Sequence, residues 1–188
     1  MTLTALPRSS ALVVVDMQQG FTDPVWGTPV DLAGCRSRVR DLVDVFEAAA
    51  APVVVVRHDS HEAGSPLAPD AGGNALFDEI AAVEPAVLVT KSVNSAFLGA
   101  PDLNSWLHER GIDTVVVCGI QTNMCVETTA RMGGNLGYRV IVPLDATTTF
   151  ELTGAGASAD AATLMRITGI NLAGGGFAEV CATADIGF

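Results

Sequence analysis

The sequence predicts an α/β fold in three layers, with a six-stranded parallel sheet between two layers of helices. Six short apolar runs, several of them rich in valine and bounded by Gly, Pro or charged residues, are typical of strands buried on both faces. Helical patterns separate these runs, and such alternation indicates parallel strands joined by helical crossovers. No repeat, linker or shift in composition interrupts the 188 residues, so we predict one domain over residues 1–188.

The predicted elements follow one another in a regular order. The strands are expected at 11–15, 53–56, 86–90, 114–118, 138–142 and 178–181, and the helices at 36–50, 74–80, 102–110, 123–136 and 158–168. The first helix is the clearest, because Val39, Leu42, Val43 and Phe46 recur at the spacing of one helix face. A loop rich in Gly, Pro and Ser follows the second strand, and loops of this length tend to be functional.

The stretch DTVVVCGIQTNMCVETTAR, residues 113–131, combines a buried strand, a tight turn and the beginning of a helix. Asn123 is predicted to cap this helix, which places Cys125 in its first turn. The positive end of a helix dipole and free backbone N–H groups lower the pKa of a nearby thiol. Cys125 is therefore a candidate nucleophile, although a small buried hydrophobic residue would give the same pattern.

Charge and composition narrow the classes of partner. Ten Lys and Arg residues stand against 21 Asp and Glu, a net charge of −11, whereas nucleic acids and anionic membranes are bound through basic surfaces. No apolar run reaches the roughly 18 residues that span a bilayer, and the N-terminus lacks the pattern of a secretory signal. The scattered cysteines form no CxxC pair, which favours reduced thiols. We predict a cytoplasmic protein with neither nucleic-acid nor membrane partners.

Three reactive side chains converge in this arrangement. Asp16 follows the first strand, Lys91 follows the third, and Cys125 opens the helix after the fourth, so all three lie at the carboxyl edge of the sheet. A carboxylate can accept the proton of a thiol, and an ammonium group can stabilise the resulting thiolate. Backbone N–H groups in the turn before Cys125 can stabilise an oxyanion. The three residues predict acyl transfer through a thioester.

The same three segments carry a resemblance to a known family. VVVDMQQGF around Asp16, KSVNSAF around Lys91 and CGIQTNMCVETTAR around Cys125 are similar to motifs of the isochorismatase-like cysteine hydrolase superfamily, which includes nicotinamidases and N-carbamoylsarcosine amidases. The resemblance implies a six-stranded parallel sheet with an Asp–Lys–Cys triad that cleaves C–N bonds of amides. It also implies a cis peptide at Ile120–Gln121 that directs the amides of Gln121 and Cys125 into an oxyanion hole, and association into homodimers or homotetramers.

The resemblance raises the question of a metal. Nicotinamidases of this superfamily hold a metal through an Asp-x-His pair and a further His, and Asp59-Ser60-His61 has that spacing. No histidine follows as far as Asn94, so the third ligand is missing, and we predict no metal or other cofactor, with Asp59 and His61 the remaining candidates. The loop RHDSHEAGSPLAP is instead similar to metal-free members, including streptothricin-hydrolase-like amidases and ureide or carbamoyl hydrolases.

The leading hypothesis is an amidohydrolase that cleaves a carboxamide, ureide or lactam of a small molecule. Phe21 and Trp26, in the loop after the first strand, either form an apolar wall for that substrate or only cover the core. His58 is a further candidate for substrate contact, and Arg57 either joins it or pairs with acidic neighbours. Three alternatives remain open: a redox sensor that uses the Cys125 thiol, a catalytically silent binding protein, and a metal-assisted nicotinamidase.

Overall fold

A parallel sheet forms the centre of the molecule. The computed structural model describes residues 5–188; residues 1–4, on which part of the prediction about a secretory signal depends, lie outside the described residues. The strands are β1 (Ser10–Val15), β2 (Val53–His58), β3 (Val87–Lys91), β4 (Thr114–Ile120), β5 (Arg139–Pro143), β6 (Thr147–Thr148), β7 (Leu152–Gly154), β8 (Ala157–Ala159) and β9 (Glu179–Cys181). The α-helices are α1 (Leu32–Ala48), α2 (Asp78–Ala81), α3 (Leu103–His108), α4 (Glu127–Asn135) and α5 (Ala161–Gly174).

Six strands lie side by side in the order β3-β2-β1-β4-β5-β9, and every neighbouring pair is parallel. The two-residue β6 pairs in parallel with the last residues of β4. The predicted fold class is therefore confirmed. The direction in which the chain adds strands reverses between β1 and β4, and the crevice at such a reversal is where open α/β sheets bind ligands.

Strands β1 and β4 lie at the middle of the sheet because both are mostly apolar. All 6 residues of β1 and all 7 of β4 are buried, as expected for strands covered on both faces. The two strands approach closely at their carboxyl ends, where a Cβ atom on Gly119 (φ +115°) would lie 2.0 Å from the carbonyl oxygen of Val15. Only glycine fits this position, and it lets the chain turn directly after the buried part of β4.

Helices cover both faces of the sheet and define two cores. Successive side chains of β1 alternate between them, so that Val14 belongs to one core and Val13 and Val15 to the other. The first core contains the buried face of α1, and the second contains residues of α3, α4 and α5, among them Leu103, Leu107, Ala130 and Leu172. Over residues 5–188, none of the helices combines the length and the apolar character needed to cross a bilayer.

Several boundaries differ from the prediction. The expected helix over 74–80 is wrong for its first half, because Gly72–Asn74 form a 3-10 turn and α2 begins only at Asp78. The expected helix over 123–136 begins instead as a π-helical turn, Thr122–Val126, which continues into α4. The β7–β8 hairpin is absent from the prediction because its residues are almost all exposed and carry no apolar alternation.

Candidate active site

Asp16 is held in a buried turn directly after β1. Its φ of +51° lies in the left-handed region, which aspartate tolerates better than most residues, and its side chain is fully buried. Its N–H donates to the carbonyl oxygen of Val56 at 2.9 Å, which fixes the turn to β2. Carboxylate Oδ2 accepts a hydrogen bond from Lys91 Nζ at 2.6 Å. Oδ1 is buried without a hydrogen-bond partner among residues 5–188, so it is available to accept a proton.

Lys91, the last residue of β3, places its ammonium group in the middle of the site. The side chain is fully buried, and Nζ lies 2.6 Å from Asp16 Oδ2, 3.0 Å from His58 Nδ1 and 3.3 Å from Cys125 Sγ. An ammonium group has three N–H donors, and these three contacts use all of them. Buried charges persist in proteins when they are paired, and here the Asp16 carboxylate supplies the opposite charge.

Cys125 lies in the turn that follows β4. The peptide bond between Ile120 and Gln121 is cis, and the π-helical turn Thr122–Val126 follows at once. The Cys125 residue is 8% exposed, and its thiol donates weakly to Asn94 Oδ1 at 3.9 Å. Cys125 and Gln121, the two residues expected to form an oxyanion hole, both line the same cavity.

The predicted role of Asn123 as a helix cap is wrong. No side chain caps the π-helical turn, and Asn123 Oδ1 instead accepts a hydrogen bond from the hydroxyl of Thr149. Thr149 lies just after β6, which pairs with the end of β4. A tertiary contact therefore takes the side chain that local sequence assigned to a cap, because the turn is packed against a strand far along the chain.

The electrostatics of the thiol also differ from the prediction. Burial, and then the charge of Asp16, raise the pKa of the Cys125 thiol to about 12, and the Lys91 ammonium opposes these effects only in part. The expected lowering is wrong because burial of the sulfur and the charge of Asp16 outweigh the groups that lower the pKa, although Cys125 does lie in the first turn of the helix. Burial also raises the pKa of Asp16, against the attraction of Lys91. The resting thiol therefore keeps its proton beside a carboxylate that is a stronger base than usual.

His58 completes the cluster from the end of β2. Its N–H donates to Gln18 Oε1 at 2.8 Å, and Gln18 Nε2 donates back to the His58 carbonyl oxygen at 3.0 Å. Gln18 is fully buried, so this double contact fixes the His58 backbone. Burial, and then the nearby Lys91 ammonium, lower the pKa of the His58 imidazole. The ring is therefore neutral at physiological pH and can accept the Lys91 N–H through Nδ1.

A cavity of about 640 Å³ opens over the cluster. Phe21 and Trp26, the predicted apolar wall, both line it, and Phe150 joins them. The ring centroids of Phe21 and Trp26 are 5.2 Å apart, and Phe150 lies 6.1 Å from the first and 6.0 Å from the second. Such a wall of touching aromatic rings suits the apolar part of a small ligand, while the polar cluster fixes its orientation.

The predicted metal candidates are engaged elsewhere or exposed. The Asp59 carboxylate accepts two hydrogen bonds from Arg57, at 2.8 and 3.0 Å, and one from Asn74 Nδ2 at 3.0 Å. Arg57 therefore pairs with an acidic neighbour, which was one of its two expected roles. His61 lies in an exposed part of the following loop, at the wall of the cavity. Neither residue presents a preformed metal site.

A second group of side chains that could bind a metal ion lies beside Lys91. The side chains of Asp16, His58 and Cys125 bring ligand-type atoms within 4.8 Å of one another. The Lys91 ammonium already lies within hydrogen-bond distance of all three side chains. The Lys91 ammonium is therefore the positive group that these three side chains contact in this structure.

Three residues of the site are missed by the reasoning from local sequence. Gln18 and Asn94 lie inside the motifs around Asp16 and Lys91, so the motifs themselves were the available signal. Phe150 follows β6 in a segment without any pattern, and its role depends on where the chain returns to the cavity. Nothing in the sequence marks it.

Comparisons with known proteins fit this geometry. The family model described as "Isochorismatase domain" matches residues 10–184. The chain is 31% identical to the ureidoacrylate amidohydrolase RutB of Azorhizobium caulinodans, over 77% of this chain and 78% of that protein. It is 33% identical to a streptothricin hydrolase of Streptomyces noursei, over 82% of this chain and 60% of that protein. The solved structure of an isochorismatase-family protein from Chromobacterium violaceum, 31% identical, matches with a TM-score of 0.90 over 98% of this chain and 95% of that one.

A parallel sheet with reactive groups at its carboxyl edge, together with these matches, defines a hydrolase of the isochorismatase class. The chain belongs to the isochorismatase family. The resemblance inferred from the three motifs is thereby confirmed.

Proposed function

We propose that this hydrolase is an amidohydrolase, which cleaves a C–N bond of a small carboxamide, ureide or lactam through a thioester on Cys125. The observation that carries the proposal is one buried cluster of thiol, carboxylate and ammonium: Lys91 Nζ lies 3.3 Å from Cys125 Sγ and 2.6 Å from Asp16 Oδ2. The cluster lies where the strand order reverses, below a cavity large enough for a small molecule. The relative RutB is named an amidohydrolase, which supports the type of bond.

In the first half of the reaction, Cys125 Sγ attacks the substrate carbonyl carbon while the thiol proton passes to Asp16. Oδ1 suits this role because it is buried and has no other partner among the described residues. The carbonyl electron pair moves to oxygen, where the backbone N–H groups of Gln121 and Cys125 stabilise the charge. Asp16 then gives the proton to the leaving nitrogen, the C–N bond breaks, and an acyl thioester remains.

In the second half, Asp16 takes a proton from water, and the water oxygen attacks the thioester carbon. The C–S bond breaks, the proton returns to sulfur, and the acid product leaves. Lys91 holds the carboxylate through the 2.6 Å contact of its Nζ with Asp16 Oδ2. The raised pKa of Asp16 favours this cycle, because a more basic carboxylate takes the proton more readily. The raised pKa of Cys125 opposes a standing thiolate, so the thiol should lose its proton only as its sulfur attacks the carbonyl carbon.

The structure weighs against two of the alternatives. Redox-sensing cysteines are exposed and have low pKa values, whereas Cys125 is buried and its pKa is raised to about 12. A metal-assisted nicotinamidase would need Asp59 as a ligand, but that carboxylate is paired with Arg57. A catalytically silent binding protein is distinguished by the assay that follows.

The test is release of ammonia or amine from a panel of small carboxamides, ureides and lactams. Wild type should turn over at least one of them, and Cys125→Ala should lower the rate by about 10³-fold or more, because the substitution removes the sulfur that forms the thioester. Mass spectrometry of quenched reactions should show the acyl group on Cys125. Retained turnover in Cys125→Ala would overturn the thioester mechanism, and no release from any amide would favour the silent protein. Homodimers or homotetramers and a cytoplasmic location remain predictions from the sequence.

A further inference from the structure

We propose that His58 is a positioning residue: by accepting the third N–H of the Lys91 ammonium, it holds that group between Asp16 and Cys125. His58 Nδ1 lies 3.0 Å from Lys91 Nζ, within the range of a direct hydrogen bond. The catalytic consequence rests on the proposed function. The effect on the thiol does not, because it can be measured without a substrate.

The contact is built into the fold. His58 and Lys91 are register partners on the neighbouring parallel strands β2 and β3, so the sheet itself sets their separation. Gln18 holds the His58 backbone through its N–H and its carbonyl oxygen, and Asn74 Nδ2 donates to the same oxygen at 3.1 Å. The imidazole therefore extends from a fixed backbone position, and the backbone of its partner Lys91 is fixed by the strand register.

Lys91 depends on this acceptor because its own stem is flexible. Four methylene groups leave the ammonium free to rotate, and a buried N–H without an acceptor is costly. Without His58, the third N–H would seek another acceptor and turn the ammonium away from its longest contact, the 3.3 Å one to Cys125 Sγ. The imidazole thus fixes the orientation in which Lys91 serves both the carboxylate and the sulfur.

The role requires a neutral ring with its proton on Nε2. An imidazole that accepts through Nδ1 must carry its hydrogen on the other nitrogen, and His58 lines the cavity. Asp16 faces the ring from the end of β1, Lys91 from β3, Cys125 from the turn after β4, and Asp59 and Glu62 from the loop after β2. A second proton on the ring would remove the acceptor and place two cations 3.0 Å apart. The contact should therefore be lost in acid.

Two substitutions separate the acceptor from the bulk of the ring. His58→Asn carries an amide oxygen close to the position of Nδ1 and does not titrate, whereas His58→Leu fills space without an acceptor. The first readout is the rate at which iodoacetamide alkylates Cys125, followed by mass spectrometry. We expect His58→Asn to stay within about 3-fold of wild type and His58→Leu to react about 10-fold more slowly, which corresponds to a thiol pKa about one unit higher. His108→Asn, on α3 beside Tyr138, is the control and should match wild type.

A double-mutant cycle with Lys91→Met tests whether His58 acts through the lysine. If it does, His58→Leu should have no further effect on alkylation once Lys91 is replaced. Equal effects of His58→Leu in both backgrounds would overturn the proposal, as would a His58→Leu rate equal to that of wild type. If His58→Leu does not fold, the proposal is tested by comparing the pH dependence of kcat/KM of His58→Asn with that of wild type.

Turnover supplies the second readout once the panel has given a substrate. His58→Leu should lower kcat by about 10–100-fold with a smaller change in KM, because a misplaced ammonium affects the chemistry more than binding. His58→Asn should restore kcat and shift the acid limb of kcat/KM to lower pH, since its side chain cannot take up a proton. An acid limb that stays at the wild-type pH would assign that limb to Asp16 and overturn the proposal. If no panel amide reacts but the alkylation cycle holds, the proposed function fails and the role of His58 stands.

Discussion

Two buried cysteines of the same strand–turn unit have very different surroundings. Cys118 lies within β4, fully buried, and its sulfur is 3.9 Å from the carbonyl oxygen of Val13. Burial raises its pKa well above the ordinary value, and burial also raises that of Cys125, to about 12. Only Cys125 lies beside a carboxylate and an ammonium group. Burial therefore raises the pKa of both thiols, and the neighbouring proton acceptor is the feature that distinguishes Cys125, the proposed nucleophile, from the core residue Cys118.

The largest expected effect comes from removing the proton acceptor. Asp16→Asn leaves Cys125 beside an amide that cannot take its proton, which makes its surroundings more like those of Cys118. We expect kcat to fall by about 10²–10⁴-fold, measured on the best amide of the panel. Circular dichroism should show that the fold is kept. A loss of less than about tenfold would mean that another group accepts the proton.

The next effect comes from removing the cation. Lys91→Met leaves the Asp16 carboxylate buried and uncompensated, so we expect kcat to fall by about 10²-fold and the free energy of unfolding to fall by about 3–5 kcal/mol at pH 7. Urea denaturation at several pH values checks the second part. The loss of stability should shrink towards acid, because Asp16 then takes up a proton and no longer needs a cation. A loss that is constant with pH would point to packing as its cause.

The two thiols should also differ in labelling. Below its pKa of about 12, the thiolate fraction of Cys125 rises about tenfold for each pH unit. Alkylation of Cys125 by iodoacetamide should follow that slope between about pH 7 and pH 10, while Cys118 stays unlabelled until the protein unfolds. Peptide mapping separates the two sites. A labelling rate that is already at its plateau near pH 7 would instead mean a standing thiolate, as the helix-dipole argument predicted.

The smallest effect on activity is expected from Cys118→Ala. The substitution removes one buried sulfur from a well-packed strand and touches neither Asp16 nor Lys91. We expect turnover within about twofold of wild type and a free energy of unfolding lower by about 1–2 kcal/mol. A large loss of turnover in a folded Cys118→Ala protein would show that the position of the reactive turn depends on the packing inside β4.

The strands and the edge of the sheet where the site lies could be predicted from the sequence, because a single physical rule determines each of them. Runs of valine indicate strands buried on both faces, and β1 and β4 form where they do because burial and the strand preference of valine favour the same structure. Parallel strands place their carboxyl ends at one edge, so Asp16, Lys91 and Cys125 could be expected together before any coordinates.

The features of the site that the sequence did not predict depend on contacts between distant segments of the chain. The Asn123 side chain is taken by Thr149, and Phe150 reaches the cavity from beyond β6, which no local pattern encodes. The thiol pKa was predicted from the helix end, nearby backbone N–H groups and a neighbouring ammonium, whereas the burial of Cys125 and the charge of Asp16 dominate it. These are tertiary effects, and a short stretch of sequence contains only one of the two residues that make each contact.

The close approach of β4 to β1 at Gly119 bears on how the substrate specificity of such a protein could change. Asp16 and Cys125 follow neighbouring strands whose spacing is fixed by backbone hydrogen bonds and by the lack of a side chain at Gly119. The aromatic wall is built by the connecting segments that carry Phe21, Trp26 and Phe150. We expect that changes in those segments would admit a different molecule while the sheet keeps Asp16 and Cys125 in place. In this fold the sheet sets the positions of the clustered side chains, and the connecting segments would determine which substrate fits.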